Sequence, residues 1–286
     1  MDRNKIRVSG NVSKAVIGII GAMAVTGVIV QLVMTEREDS TGRLQIGTFK
    51  TARGEHRCFD LPDRSLACLN TDSMLRFTYS IRARNIELLS GESLLTVAPD
   101  KRRFAALSNR FLTVDLSTQF LLRKTGTGTL MTVTVGAVRV TSTPIDTAMR
   151  TAFEHGSAKP ASKADREYHR LDQVEFDDVT GTLHERFALT EQGLTQRLAW
   201  QRGRIGVTGL SLDEAFSELG RYQRIDVVDI KDPALRKVRL GGEIDTSGLK
   251  DFLRSLEVLY RVHSNIETAA DGKTTVTLSR RHTKGN

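Results

Sequence analysis

The chain has 286 residues, of which 39% are hydrophobic and 27% charged, as in ordinary globular proteins. Two cysteines are too few for a disulfide-rich scaffold. The net charge of +8 would suit nucleic acid, but the basic residues are scattered, and the one dense group before the C-terminal tail is residues 101–103. Since no aromatic-interleaved basic patch or nucleic-acid motif is present, we expect no nucleic-acid partner.

Residues 15–34 (AVIGIIGAMAVTGVIVQLVM) form an uncharged run long enough to cross a bilayer as a helix. Basic residues dominate residues 1–14, a short tail, and acidic residues follow at 36–39. This asymmetry predicts a single-pass membrane protein with a cytoplasmic N-terminus and its bulk outside. A cleaved signal peptide is the alternative, because residues 22–24 (AMA) resemble a cleavage site. Cleavage there would leave a short hydrophobic core and an exposed apolar N-terminus, so we prefer the uncleaved anchor.

A polar stalk is predicted at residues 35–45, followed by apolar residues with a period of two. Residues 61–65 (LPDRS) join two such runs, which predicts a hairpin. If Phe59 faces Ala67, then Cys58 lies opposite Cys68 on the other face of the hairpin. A disulfide and two unrelated small strand residues both fit this register.

Short strands at regular spacing follow, and no helical pattern interrupts them, so residues 46–141 are predicted to be an all-β sandwich or stacked-hairpin domain. Residues 142–195 contain Pro144, Pro160 and mixed charges, and we interpret them as a linker that can hold one strand at its end, at the apolar residues 187–189. The predicted strands are 74–79, 86–89, 93–97, 104–107, 111–116, 120–123, 130–135 and 137–141.

Residues 196–280 are predicted to be a small α+β domain with the order β, β, α, β, β, α, β, β, and residues 281–286 a tail. Ser211 and Glu214 form a capping box at the start of the first helix. The two helical stretches, 212–222 and 249–260, look alike, which suggests a split βαβ repeat. The predicted strands are 198–200, 205–207, 225–228, 238–240, 262–267 and 275–278.

The sequence contains no P-loop, HExxH, GxSxG or Cys/His metal spacing. The histidines are dispersed, and none has a sequence-adjacent set of ligands. We therefore expect no enzymatic activity, no catalytic residue, no metal and no cofactor. The six histidines are His56, His155, His169, His184, His263 and His282.

Several short motifs, in order, resemble the FecR family of envelope signalling regulators. The family pattern has a Gly-Glu-x-Arg strand, a Leu-Pro-Asp-Gly-Ser hairpin and a Leu-Asn ending. This chain has GEHR at 54–57, LPDRS at 61–65 and LNTDS at 69–73, followed by LSGE at 89–92 and VAPD at 97–100. The resemblance covers residues 46–141.

The C-terminal part, residues 196–280, resembles the short domain shared by secretins and TonB-dependent transducers. The matching residues are LAW at 198–200, GR at 203–204, the helix 212–222 and DP at 232–233.

The resemblance implies an inner-membrane protein with a periplasmic sensor. In this family, the signalling domain of an outer-membrane TonB-dependent receptor, often one for ferric siderophores, contacts the regulator, which controls an extracytoplasmic-function sigma factor. An exposed strand edge can accept a partner strand. We therefore expect the receptor to bind around 238–244 and 262–267, with Val238, Leu240, Ile244, Val262 and Ile266 as the partner-binding strand residues.

Two features depart from the family. The usual cytoplasmic sigma-binding module cannot be supplied by residues 1–14, so we expect a separate anti-sigma protein or a different output. Some members cleave themselves at a Gly-Thr bond, where this chain has Ser117 before Thr118. A side chain restricts the strained backbone that such an acyl shift needs, so we predict no self-cleavage. The alternative function is an envelope structural or assembly protein, because the C-terminal domain also resembles secretin modules.

Overall fold

The computed structural model describes residues 33–39, 42–81, 83–108, 111–115, 118–140, 166–177, 180 and 182–280. The predicted tails and residues 15–32 of the predicted membrane span lie outside these ranges. Val33 and Met34, the last two residues of that span, lie in a β-strand instead. Across the described ranges, no helix has both the length and the apolar character needed to span a membrane.

The N-terminal part is a sandwich of two β-sheets. One sheet has eight strands in the order β1-β2-β5-β6-β8-β9-β12-β13, and the other has seven in the order β15-β14-β11-β10-β7-β4-β3. The strands are β1 Val33–Asp39, β2 Gly42–Lys50, β3 Arg57–Asp60, β4 Leu66–Leu69, β5 Met74–Tyr79, β6 Ala83–Ser90, β7 Glu92–Thr96, β8 Arg103–Ser108, β9 Phe111–Asp115, β10 Gln119–Lys124, β11 Gly128–Val135, β12 Ala137–Val140, β13 Arg166–His169, β14 Asp172–Asp177 and β15 Leu183–Ala188.

The seven-stranded sheet is buried on both faces. Its inner face contributes Leu95 and Phe120 to the core of the sandwich, where they pack with residues of the opposite sheet. Their neighbours Leu94 and Leu121 point the other way and are also buried. A strand covered on both faces needs consecutive apolar residues rather than alternation, and the sequence has them at 94–95 and 120–122.

The strand-rich prediction is confirmed between residues 57 and 140, where each predicted strand is present with small shifts at its ends. The hairpin has the predicted register, with Phe59 opposite Ala67 and Cys58 opposite Cys68. Leu116 and Ser117 lie outside the described residues, so the absence of self-cleavage stays a prediction.

Two of the predicted irregular segments are wrong. Most of the predicted stalk, 35–45, belongs to the β1–β2 hairpin, which runs antiparallel along β5. The C-terminal part of the predicted linker, 142–195, contains β13, β14 and β15, and these strands complete both sheets. Edge strands are held largely by backbone hydrogen bonds, and their polar sequences therefore look like loops when read for hydrophobic periodicity alone.

The C-terminal part is an α+β unit that packs on the outer face of the seven-stranded sheet. Two strands form one small sheet, β16-β18, and three form another, β17-β20-β19, in which β17 and β20 are parallel. The elements are α1 Glu191–Arg197, a 3₁₀ turn Ala199–Arg202, β16 Arg204–Gly206, α2 Leu212–Gly220, β17 Val227–Ile230, α3 Pro233–Arg236, β18 Glu243–Asp245, α4 Leu249–Tyr260, β19 Val262–Thr268 and β20 Thr274–Arg280.

The capping box at Ser211 and Glu214 is present, as predicted, but two predicted strands are not. Residues 198–200 continue from α1 into the 3₁₀ turn, because Leu194 and Leu198 lie one helical turn apart and Leu198 N donates to Leu194 O. Residues 238–240 form a loop after α3, whose start is capped by the Asp232 side chain. An apolar-x-apolar pair is too short to distinguish a strand from a helix end.

Candidate functional site

The outer face of the seven-stranded sheet and the C-terminal unit share one apolar core. Cys68, Leu94 and Leu121 of the sheet belong to the same buried cluster as Trp200 and Phe216 of the C-terminal unit. Apolar residues on one face of α2 supply much of the other side, and this helix ends directly above β4 and β7. The contact between the two parts is therefore a true hydrophobic interface with a defined polar edge at the end of α2.

Asn70 is the central polar residue of this interface. It follows β4, is fully buried, and its amide Nδ2 donates to Glu92 Oε2 and to Tyr222 Oη, both at 2.8 Å. The backbone N–H of Asn70 also donates to the Glu92 carbonyl at 2.9 Å. Burial raises the pKa of the Tyr222 hydroxyl to about 12, with Arg221 opposing and Glu92 adding to the shift. Tyr222 is therefore neutral at physiological pH and accepts the bond from Asn70.

Glu92 connects the sandwich to the C-terminal unit through an ion pair. Its carboxylate lies 2.6 Å from Arg221 Nη2, and its side chain is only 3% exposed. Arg221 also pairs with Glu218 at 3.1 Å, and Glu218 pairs with Arg123 of β10 at 2.6 Å. We call Glu92, Arg123, Glu218 and Arg221 the ion cluster.

Each charge in the ion cluster is stabilised by its neighbours. Desolvation opposes the charge of Arg221, but Glu92 and Glu218 outweigh it and raise the pKa of its guanidinium. Burial alone would raise the pKa of Glu218, yet Arg123 and Arg221 lower it below its ordinary value. A buried charge without its partner is unfavourable by several kcal/mol, so these residues hold one another in place.

The turn after β4 shapes this polar edge. Thr71 Oγ1 donates to the backbone carbonyl of Arg221 at 3.1 Å, and Ser73 Oγ accepts from the N–H of Glu92 at 2.9 Å. Gly91 precedes Glu92 with a φ of +77°, and a Cβ there would lie 2.1 Å from Ser73 Oγ. The LNTDS and LSGE motifs therefore meet at one place, where they bind the end of α2.

A second buried network lies within the sandwich. Asp63 of the LPDRS turn pairs with Arg84 at 2.6 Å, and the two side chains are 0% and 3% exposed. Ser65 Oγ donates to Asp63 and accepts from the N–H of Ala98. Tyr79 Oη donates to Asp63, and burial, with the charge of Asp63, raises the pKa of the Tyr79 hydroxyl. These hydrogen bonds and the ion pair hold the hairpin turn at 61–65 against the VAPD segment at 97–100.

Cys58 and Cys68 are joined by a disulfide across the β3–β4 hairpin. Cys68 is buried against the C-terminal unit, whereas Cys58 is exposed. The bridge joins β3, the end strand of the seven-stranded sheet, to its neighbour β4.

The predicted receptor-binding side chains lie mostly inside the C-terminal unit. Leu240 and Val262 are buried in its core, and the other three are partly buried against it. Ile244 belongs to β18, which pairs with β16, and β19 pairs on one side with β20. Within the sheets that the structure describes, the other side of β19 is an edge. Any receptor contact there would use the backbone of β19 rather than these apolar side chains.

The residues that join the two parts were not predicted from the sequence. Glu218 and Arg221 are three residues apart, as in many helix-surface pairs, but Arg123 lies 95 residues before Glu218 and shares no spacing with it. The available signal was that Asn70 and Glu92 are polar residues within otherwise apolar strand ends. Among the described residues, no group of His, Cys, Asp and Glu side chains is arranged to hold a metal ion.

Comparison with known proteins agrees with this architecture. The FecR protein family model matches residues 47–139, so this segment is a FecR domain. No curated protein matches the sequence. Two solved structures of a candidate anti-sigma factor from Parabacteroides distasonis share the fold, with TM-scores of 0.57 and 0.58 and 16% sequence identity. Each comparison covers 82% of this chain and 99% of the solved one, so the likeness includes both the sandwich and the C-terminal unit.

Proposed function

We propose that this chain, whose residues 47–139 form a FecR domain, is a regulator of sigma-factor activity that works by protein contact. The observation that carries the proposal is the docking of the C-terminal unit on that domain through Asn70 and Glu92. Two of the motifs by which the sequence resembles the family thus serve to connect a second interaction unit. This is the arrangement expected of a relay, in which binding to one part alters the other.

In its finer form, the proposal is a relay from an outer-membrane TonB-dependent receptor to an extracytoplasmic-function sigma factor. The outer edge of β19, with which none of the described strands pairs, supports this step, because an edge strand can pair with a strand of another protein. Residues 15–32 then anchor the chain in the inner membrane, with residues 1–14 in the cytoplasm and the described residues in the periplasm. The disulfide suits that oxidising compartment.

The relay is tested by co-purification of the full-length chain with the signalling domains of TonB-dependent receptors from the same cell. We expect one receptor domain to be retained and a sigma-dependent reporter to respond to that receptor's substrate. Loss of the reporter response on deletion of this chain, with recovery on complementation, would support the relay. Retention of no receptor domain, together with an unchanged reporter in the deletion strain, would contradict it.

The anchor is tested separately by a C-terminal alkaline phosphatase fusion, which is active only outside the cytoplasm. We expect an active, membrane-bound fusion, and an inactive one when residues 1–34 are removed. An active fusion released to the soluble periplasmic fraction would instead indicate cleavage of a signal peptide.

A further inference from the structure

A small cavity lies next to the ion cluster, between the sandwich and the C-terminal unit. Its volume is about 180 Å³, and its walls include the apolar side chains of Trp200, Ile205 and Leu210. Because a liquid water occupies about 30 Å³, the cavity has room for about six waters or one small organic group. It is too small for a cofactor or a nucleotide.

Arg197, the last residue of α1, lies in the wall of this cavity. Desolvation lowers the pKa of its guanidinium, and the nearby charge of Arg123 adds to that shift, while Glu218 and Glu92 oppose it. Within the described part of the chain, its guanidinium forms neither an ion pair nor a hydrogen bond. An arginine stays protonated in proteins, so this cation is partly desolvated and has no direct partner.

Trp200 also lies in the wall of the cavity. Its side chain is 4% exposed, and its indole Nε1 is buried with no hydrogen-bond acceptor among the described residues. A buried donor without an acceptor is unfavourable by about 1–3 kcal/mol. Because this nitrogen is itself inaccessible to solvent, the group that needs an acceptor at this cavity is the Arg197 guanidinium, and Trp200 contributes an apolar ring.

The charges around the cavity indicate what kind of acceptor fits. Its lining includes four arginines and two glutamates. The glutamates already pair with Arg123 and Arg221 of the ion cluster, and the fourth arginine, Arg204, faces Glu243 and Asp245 on its outer side. Among the charged residues of the lining, Arg197 is therefore the arginine whose positive charge no carboxylate pairs with. A monoanion balances it, whereas a dianion such as phosphate would add a negative charge next to Glu92 and Glu218.

We propose that this cavity binds a small carboxylate, with the Arg197 guanidinium as its cation and the Trp200 ring against its carbon chain. A planar carboxylate matches the fork of a guanidinium, and the apolar walls accommodate the short carbon chain behind it. The carboxylate comes from a free organic acid or from an acidic side chain. The site does not depend on the receptor relay, because none of its residues is on the edge of β19.

Trp200 is the one tryptophan of the chain, so its fluorescence reports directly on the cavity. We would titrate the full-length protein with acetate, propionate, phosphate and a glutamate-containing peptide that is acetylated and amidated at its ends, keeping ionic strength constant with sodium chloride. Saturable changes in emission are expected, confirmed by calorimetry. Tighter binding of the peptide than of the free acids would assign the carboxylate to a protein partner, and the reverse would assign it to a small metabolite.

Arg197→Gln should weaken this binding at least tenfold, and Arg197→Lys should restore part of it. The matched control is Arg254→Gln, because Arg254 is exposed on α4 and pairs there with Asp251. Unfolding curves show whether each variant is folded. Unchanged carboxylate affinity in folded Arg197→Gln, saturable binding of phosphate but not of carboxylates, or no binding of any carboxylate by either method would overturn the proposal.

Discussion

The guanidinium of Arg221 donates a hydrogen bond of 2.6 Å to the carboxylate of Glu92, although 129 residues separate them in the sequence. One residue belongs to the FecR domain, and the other ends the helix α2 of the C-terminal unit. The bond joins the sandwich to the C-terminal unit. With the Asn70–Tyr222 bond beside it, it gives the hydrophobic interface a specific position and orientation.

Replacement of Glu92 by glutamine should destabilise the protein by about 2–4 kcal/mol, because Arg221 stays buried with only Glu218 to balance it. Urea unfolding of the purified protein measures this change. The matched control is Glu243→Gln, which removes an exposed pair with Arg202 and should change stability by less than about 1 kcal/mol. Equal effects of the two substitutions would contradict a special role for Glu92.

Glu218 should make stability depend on acid pH. Its pKa in the folded protein is below the ordinary value of 4.5, so its stabilising effect is fully present above pH 4.5 and is lost as the pH falls through the folded value. The gap in unfolding free energy between wild type and Glu218→Gln should therefore be largest near neutral pH and shrink below pH 4.5. A gap that stays constant from pH 7 to pH 3 would rule out this contribution.

Arg64 occupies the turn position at which the family pattern has glycine, and its φ is +70°. A residue with a Cβ is strained in this left-handed region by roughly 1–2 kcal/mol. Glycine removes this strain, but the greater entropy of glycine in the unfolded chain offsets part of the gain in stability. Arg64→Gly should therefore stabilise the protein by up to about 1 kcal/mol, seen as a melting temperature higher by a few degrees. Arg64→Ala keeps the Cβ and serves as the control; it should give no increase.

The Cys58–Cys68 disulfide links residues 10 apart. Loop-closure entropy for a loop of that size corresponds to about 2–3 kcal/mol of stability. Reducing agent should lower the unfolding free energy of the wild type by this amount and leave the Cys58→Ser/Cys68→Ala double variant unchanged. If the wild type responds no more than the double variant, the two thiols are not joined in solution.

Hydrophobic periodicity predicts most of the sandwich because its central strands bury large side chains in a regular pattern. The pairing of Cys58 with Cys68 follows from the turn at 61–65 in the same way. The strands β1 and β13 are different: they lie at the two edges of their sheet, and their residues are mostly polar. Their structure depends on backbone pairing with distant strands, which local patterns do not reveal.

The interface was predictable only in part. Continuous apolar runs such as 120–122 indicate burial on both faces of the sheet, and the apolar face of α2 indicates a partner surface. Asn70, Glu92 and Arg221 determine how the sheet and the C-terminal unit are positioned against each other. These residues come together only in the tertiary structure. Two of the predicted binding residues, Leu240 and Val262, have side chains buried in the core of the C-terminal unit, and receptor binding around 262–267 stays a prediction.

The docking of the C-terminal unit on the FecR domain is tested most directly by a double-mutant cycle between Glu92 and Arg221. The free energy of unfolding would be measured for wild type, Glu92→Gln, Arg221→Gln and the double variant. Because the two side chains are in contact, we predict a coupling energy of at least about 1 kcal/mol. Additivity of the two substitutions within about 0.3–0.5 kcal/mol would contradict this contact and the arrangement of the two parts.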